Sequence, residues 1–275
     1  TLFTKMIHKF GFFILSAIAI ISLTSCAVDD HFSSDTNQGL VFSEDTIRMD
    51  TVFTAVPSSA RSFWIYNRTS RNLRFGVVLE KGNQLGFRVN INGLYLSAVK
   101  GSQIHDVELE SNDSIRVFVE LTAQKQSQEV ISLLEDKLYF MFGNGLKQEV
   151  VMQAYSLKAD IIDTWIVEED TEWQSTRPCL VKGGIVVKEN ATFTIDEGAK
   201  FYFTSQASLR VDGKILCKGT PQKPIVFRGA RLDNIDREIP YDRISGQWKG
   251  ISIGHNSYEN YMKSVDIHSA KNGIF

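Results

Sequence analysis

Short runs of alternating apolar and polar residues, separated by turn residues, fill the chain from about residue 40 to residue 157. Such alternation is the signal of β-strands, and no stretch of this segment has a convincing helical period. The pattern predicts strands at 62–66, 73–79, 87–91, 107–109, 115–121, 137–142 and 149–154. About seven short strands in a segment of this length are typical of a β-sandwich. We therefore predict a first domain of this class over 40–157.

A different pattern begins near residue 160, where short apolar strands alternate with glycines and small polar residues. Residues 190–198 (NATFTIDEG) recur as 206–213 (QASLRVDG), which we call the shorter echo. A longer echo relates Gly250-Ile251 to Gly273-Ile274. Repetition of this kind indicates a β-solenoid, because a single turn cannot bury its inner face and must stack on its neighbours. We predict this second domain over 160–275, in a chain that is all-β throughout.

Alternation within the predicted solenoid strands separates inward from outward side chains. Inward positions should stack on like residues one turn away, and glycines should mark corners where a positive φ is needed. Residues 161–178, with Trp165 and Trp173, are expected to cover the first turn. The predicted inward set is Val187, Phe193, Ile195, Phe201, Phe203, Leu209, Val211, Ile215 and Phe227, and the outward set is Lys188, Thr194, Tyr202, Arg210 and Lys214.

The N-terminal segment, 1–25, predicts export. An apolar run, 10–23, follows His8 and Lys9; its length suits a signal-peptide core and is short for a membrane span. The run closes with Leu23-Thr24-Ser25-Cys26, which resembles the lipobox of bacterial lipoproteins. The resemblance implies cleavage after Ser25 and a diacylglycerol on Cys26, which would anchor the protein in a membrane. A plain secretory signal or an uncleaved anchor helix is the alternative interpretation.

Residues 26–39 are small and polar, which predicts a flexible tether. Asp29 and Asp30 resemble the acidic signal that sends Bacteroidetes lipoproteins to the cell surface. An outer-membrane location follows as an expectation, at the cell surface or otherwise on the periplasmic face.

Charge and cysteine content narrow the function classes. Removal of the segment 1–25 takes away Lys5 and Lys9 and no acid, so 28 basic and 32 acidic side chains remain, a net charge of −4. This balance disfavours nucleic acid as a partner. Cys179 and Cys217 each lie beside apolar strand residues, so we predict two free buried thiols, with a disulfide as the alternative.

The first domain resembles the immunoglobulin-like domains of the ASPM/SPD-2/Hydin type. The resemblance rests on residues 49–52 (MDTV), 63–67 (FWIYN), 73–75 (LRF) and 112–119 (NDSIRVFV). It implies a spacer or docking module without chemistry.

The second domain resembles right-handed parallel β-helix (pectin-lyase-like) proteins, in particular Bacteroidetes surface lipoproteins. The matching motifs are residues 184–203, 207–232 and 246–251 (GQWKGI), with Cys217 and Lys218 where the family has small residues. The chain stops inside an expected strand, so we expect it to be a fragment with further turns missing.

One polar segment is a candidate site, the loop from Arg228 to Arg243 followed by Trp248. Carboxylates, arginines and aromatic rings together suit a sugar, through bidentate hydrogen bonds and ring stacking. The favoured interpretation, however, is a charge-paired loop that covers a solenoid corner. The candidate glycan-binding residues are Arg231, Asp233, Tyr241, Asp242, Arg243 and Trp248.

No catalytic or cofactor motif occurs in the sequence. His255 and His268 are interpreted as partly exposed histidines, with a metal site as the alternative. The sequence therefore favours a non-catalytic scaffold or a surface that binds polysaccharide or an envelope protein. The alternative function is a polysaccharide lyase or hydrolase whose active site lies on missing turns.

Overall fold

A computed structural model describes residues 31–124, 130–174, 176–235 and 239–275. Cys26 and the predicted signal peptide lie outside the described residues. The described ranges consist of strands, turns and two short 3-10 segments, Ala98–Lys100 and Tyr241–Arg243. They contain no helix that is long and apolar enough to cross a membrane. The predicted all-β class is confirmed for this part of the chain.

The first unit is a sandwich of two five-stranded sheets, ordered β1-β3-β8-β5-β6 and β2-β10-β9-β4-β7. Every pairing is antiparallel except that of β2 with β10. Alternate side chains of both sheets meet in one core that includes Phe63, Val77 and Val117. The strands are β1 Val41–Phe42, β2 Thr46–Phe53, β3 Arg61–Tyr66, β4 Leu73–Leu79, β5 Phe87–Ile91, β6 Leu94–Tyr95, β7 Gln103–Leu109, β8 Ser114–Leu121, β9 Ile131–Met141 and β10 Lys147–Leu157.

The described part of the predicted tether contacts this sandwich. The Ser33 amide donates to the Asn72 carbonyl at 2.9 Å, and the Ser33 carbonyl accepts from the Arg74 amide at 2.8 Å. Leu40 is buried, and its amide donates to the side chain of Gln148 at 2.7 Å. From Ser33 onward, backbone hydrogen bonds therefore connect the segment predicted as a tether to the sheet.

The second unit contains only parallel pairings among its described strands, in a seven-stranded and a four-stranded sheet. The larger sheet has the order β19-β16-β13-β15-β18-β21, with β11 also on β13, and the smaller one has the order β12-β14-β17-β20. The strands are β11 Asp160–Val167, β12 Thr171–Trp173, β13 Cys179–Val187, β14 Thr192–Asp196, β15 Lys200–Phe203, β16 Leu209–Val211, β17 Lys214–Lys218, β18 Ile225–Gly229, β19 Ile251–Ile253, β20 Tyr261–Lys263 and β21 Val265–Ile267.

Strand pairing defines the repeat of this unit and corrects the repeat seen in the sequence. Phe193 of β14 pairs with Ile215 of β17, so paired strands are farther apart in the sequence than the two copies of the shorter echo. The shorter echo instead relates β14 to β16, which belong to different sheets. The two sequences are similar because both strands have the same alternation of apolar residues and both are followed by a corner. The longer echo is a true register, since Ile251 bridges Ile274 in parallel.

The predicted inward side chains are all fully buried, each with 0% exposure. Tyr202, predicted to point outward, is also buried because it packs on Phe53 of the sandwich, with ring centroids 5.2 Å apart. Residues 161–178 extend the stack rather than merely covering it, since β11 and β12 pair in parallel with β13 and β14. Trp173 packs on Phe201 at 5.1 Å.

Glycine is required at two corner positions for different physical reasons. Gly198 has φ +80°, a conformation that favours glycine. Gly213 has no positive φ, but a Cβ there would collide with the carbonyl oxygens of Lys188 and Ala191. The expectation that positive φ explains each corner glycine is therefore wrong for Gly213, where close backbone approach is the constraint.

The two cysteines of the second unit are free and buried, as predicted. Burial raises the pKa of Cys179 and of Cys217 to about 12, so both are uncharged thiols at neutral pH. They act as small apolar side chains within the stack.

The aromatic stack should dominate the stability of the second unit. Phe201 is fully buried and stacks on Phe227 at 5.4 Å, so Phe201→Ala removes packing on both sides. We expect a loss of about 3–5 kcal/mol in the free energy of unfolding, measured by urea denaturation. The exposed Lys188→Ala is the control and should change it by less than about 0.5 kcal/mol. Equal unfolding midpoints for the two variants would contradict this packing.

Candidate functional site

The predicted polar loop leaves the second unit after β18 and reaches the sandwich. Arg231 makes two hydrogen bonds to Asp233, at 2.6 and 3.0 Å, and its Nη2 donates to the Ser59 hydroxyl at 2.9 Å. Its guanidinium carbon also lies 3.4 Å from the ring centroid of Tyr241. The hydrogen bonds to Asp233 raise the pKa of Arg231. This arginine is therefore held by charge, hydrogen bonds and an aromatic face at once.

A second set of polar contacts lies beside it. Asp50 Oδ2 accepts from Arg61 Nη2 at 2.9 Å and from the Asn234 amide at 3.2 Å. Arg61 Nη2 also donates to the Asn234 carbonyl at 2.9 Å. Asp50 has φ +56°, a left-handed conformation that Asp adopts more readily than most residues. We call the contacts of Asp50, Ser59 and Arg61 with Arg231 and Asn234 the interdomain latch.

An apolar contact joins the two units next to the latch. Phe53 and Leu157 of the sandwich are buried against Leu180 and Tyr202 of the parallel sheets. Burial raises the pKa of the Tyr202 phenol, and the Phe53 ring meets it edge-on. Val56, Ala159, Ala230 and Leu232 pack around this group. Polar and apolar contacts thus lie side by side at one junction.

The remaining predicted site residues lie in three different surroundings. Asp242 forms an ion pair with Arg228 at 3.2 Å, and its carbonyl lies 3.2 Å from His268 Nδ1. Arg243 is exposed at the end of a 3-10 turn. Trp248 is 1% exposed, stacks on Phe203 with centroids 4.4 Å apart, and donates from Nε1 to the His268 carbonyl.

The structure therefore brings Arg231, Asp233 and Tyr241 together but corrects the prediction for Trp248. Its indole is a buried core side chain whose N–H is already bonded, so it cannot stack on a sugar. The predicted set also missed Asp50, Ser59 and Arg61. The sequence around them carries no local sign of the contact, because the partners in the latch are far apart along the chain.

A cavity of about 430 Å³ opens between the two units beside the latch. Its floor is apolar and comes from both units, with Val52, Phe53 and Val56 from the sandwich and Leu180, Ala230 and Leu232 from the second unit. Charged side chains of both units stand at its margin, among them Arg61, Lys182, Arg231 and Asp233. The described residues contain no group of three histidine, cysteine, aspartate or glutamate side chains that could hold a metal ion.

No protein-family model matches the chain, and no curated protein matches it. Among solved structures, it is similar to a family 123 glycoside hydrolase from Clostridium perfringens, at 6% identity and a TM-score of 0.30, over 46% of this chain and 30% of that one. It is similar to the E. coli chaperone DraB at 11% identity and a TM-score of 0.27, over 44% and 55% of the two chains. An ASH/PapD-like domain of human CEP192 matches at 10% identity and a TM-score of 0.28, over 46% and 93%.

The chain spans less than a third of the length of the Clostridium protein. Similarities at this level carry no functional information. The all-β architecture of the first unit fits the immunoglobulin-like class predicted from the sequence.

The buried indole gives a direct test of the corrected role of Trp248. We expect Trp248→Ala to lower the free energy of unfolding by about 3–5 kcal/mol, because it leaves a cavity on Phe203. Arg243→Ala, at an exposed position, should change it by less than about 0.5 kcal/mol. Thermal unfolding monitored by circular dichroism would measure both. An unchanged melting temperature for Trp248→Ala would contradict the buried role, and Trp248 would again be a candidate for contact with a ligand.

Proposed function

We propose that the protein is a lipid-anchored envelope protein in which sandwich and parallel-sheet unit form a non-catalytic scaffold. The observation that carries this proposal is the junction between the two units. Polar side chains of the candidate loop are used there in ion pairs and hydrogen bonds rather than left open to a ligand. Arg231 and Asn234 bind the sandwich, and Asp233 neutralises Arg231.

The parallel-sheet unit is, on this proposal, the beginning of a right-handed parallel β-helix. Support comes from the in-register parallel pairing of successive strands in both sheets. The unbroken inward row from Cys179 through Phe201 and Phe227 to Ile267 supports it further. A stack of this kind presents long outer faces, which suit the binding of a polysaccharide or of another envelope protein.

The sandwich, as a domain of the ASPM/SPD-2/Hydin type, would serve as the spacer between the lipid and the stack. Support for the anchor lies in the sequence, where the apolar run 10–23 ends close before Cys26. Asp29 and Asp30 support delivery to the surface of an outer membrane. The described chain from Ser33 onward is bound to the sandwich, so little free length separates the lipid from the first domain.

Lipid attachment can be tested by acyl labelling in a bacterial host. The chain expressed with its leader should incorporate an alkynyl fatty acid and sediment with membranes, and Cys26→Ala should do neither. Cys217→Ala is the matched control and should label normally, because that thiol is buried and protonated. Labelling that survives Cys26→Ala would refute the proposed anchor.

The scaffold proposal can be tested by the distance between the units. Spin labels at Asp106→Cys and Lys263→Cys, both exposed, should give one narrow distance distribution in a chain that also carries Cys26→Ala. Arg61→Met removes the guanidinium that contacts Asp50 and Asn234, so it should broaden that distribution.

The control for this experiment is Arg74→Met. Arg74→Met removes the ion pair with Glu108, which is similar in length to that of Arg61 but lies within the sandwich. It should leave the distribution narrow. A broad distribution in the parent chain would contradict a scaffold of fixed geometry.

A further inference from the structure

We propose that the cavity between the two units binds a small amphipathic anion, a carboxylate that carries an acyl chain or an aromatic group. The cavity has a volume of about 430 Å³. Sites for small organic ligands commonly measure about 300–1,000 Å³ and often lie between domains. This inference does not depend on the lipid anchor or on the scaffold role.

The floor of the cavity selects for an apolar group. Val52, Phe53 and Leu180 line it and are at most 6% exposed. The other apolar lining residues of this region, Val56, Ala230 and Leu232, are partly exposed. A sugar placed against these side chains would lose water from its hydroxyls without gaining hydrogen bonds, which costs free energy for every group left unpaired. An acyl chain or aromatic ring gains from contact with the partly exposed Val56, Ala230 and Leu232, because there apolar surface leaves water on both sides.

The margin of the cavity selects for negative charge. Three cations line it, Arg61, Lys182 and Arg231, against one carboxylate, Asp233. Arg61 and Arg231 are bound in the latch, whereas the ion pair of Lys182 is long, 3.8 Å to an Asp163 whose side chain is 87% exposed. A weak surface pair of this kind is easily exchanged for another anion. Lys182 is therefore the cation that would meet the head group of the ligand.

The position of the cavity couples binding to the contact between the units. Phe53 belongs to the sandwich and Leu180 to the parallel sheets, and both face the cavity. A ligand that touches both stabilises the docked arrangement by mass action, because the complete floor exists only when the units are together. Such a ligand should therefore also raise the melting temperature.

The probes are 1-anilinonaphthalene-8-sulfonate, an aromatic anion that fluoresces in apolar surroundings, and decanoate as competitor. On the folded chain with Cys26→Ala, the dye should bind at one site, and decanoate should displace it and raise the melting temperature. Lys182→Met should lower the affinity for decanoate about fivefold, which is the effect of losing one partly exposed ion pair. It should leave the neutral analogue 1-decanol unchanged. Lys188→Met, an exposed lysine of the same unit outside the cavity lining, is the control and should behave as the parent.

A second variant tests the cavity itself. Ala230→Trp places a large ring among the lining residues and should abolish binding of both dye and decanoate. The melting temperature of Ala230→Trp shows whether this variant is folded. If it is unfolded, the decanoate affinity of Lys182→Met still tests the proposal. Absence of dye binding in the parent chain would overturn the proposal. So would equal decanoate affinities in Lys182→Met and Lys188→Met, or parent-like binding in a folded Ala230→Trp.

Discussion

The arrangement of the second unit depends on the stacking of inward side chains from one parallel strand onto the next. Its strands are short and cannot bury an apolar face alone. Phe201 lies over Phe227 because β15 and β18 pair in register, and their rings are inclined by only 18°. The next inward position has no such pair of rings, because Phe203 pairs with Gly229, which has no side chain. The Phe203 ring therefore needs a partner from elsewhere in the chain.

Trp248 is that partner. Its stacking on Phe203 fixes the point at which the chain returns to the parallel sheets after β18. The indole stacks on Phe203 at 4.4 Å, with the two rings inclined by 13°. A Cβ on Gly229 would collide with the side chain of Gln247, so glycine is needed there for the loop to return so close. The chain is thus held at Gly229 by strand pairing and at Trp248 by stacking. Arg231 and Asn234 lie between these two points and contact the sandwich.

How much of this arrangement the sequence predicts depends on how local each contact is. Alternation within single strands predicted seven sandwich strands and the whole inward set of the second unit, because burial there follows from period two alone. The very short strands β1 and β6 cannot show any alternation. Tyr202 was assigned outward correctly by its period, but the sandwich covers that outer face. Phe53 lies far away in the sequence, so no local pattern could reveal the contact.

The candidate site is difficult to interpret from the sequence for a related reason. Arginine, carboxylate and tyrosine within a loop have the same composition whether they bind a sugar or each other. Arg231 meets Asp233 through two hydrogen bonds and Ser59 through a third, so three of its five N–H donors are already used. Composition therefore locates the junction between the units but does not by itself distinguish a charge-paired loop from a sugar site. The distinction lies in distant residues, Asp50, Ser59 and Arg61, which turn a polar loop into a contact between domains and leave an apolar cavity beside it.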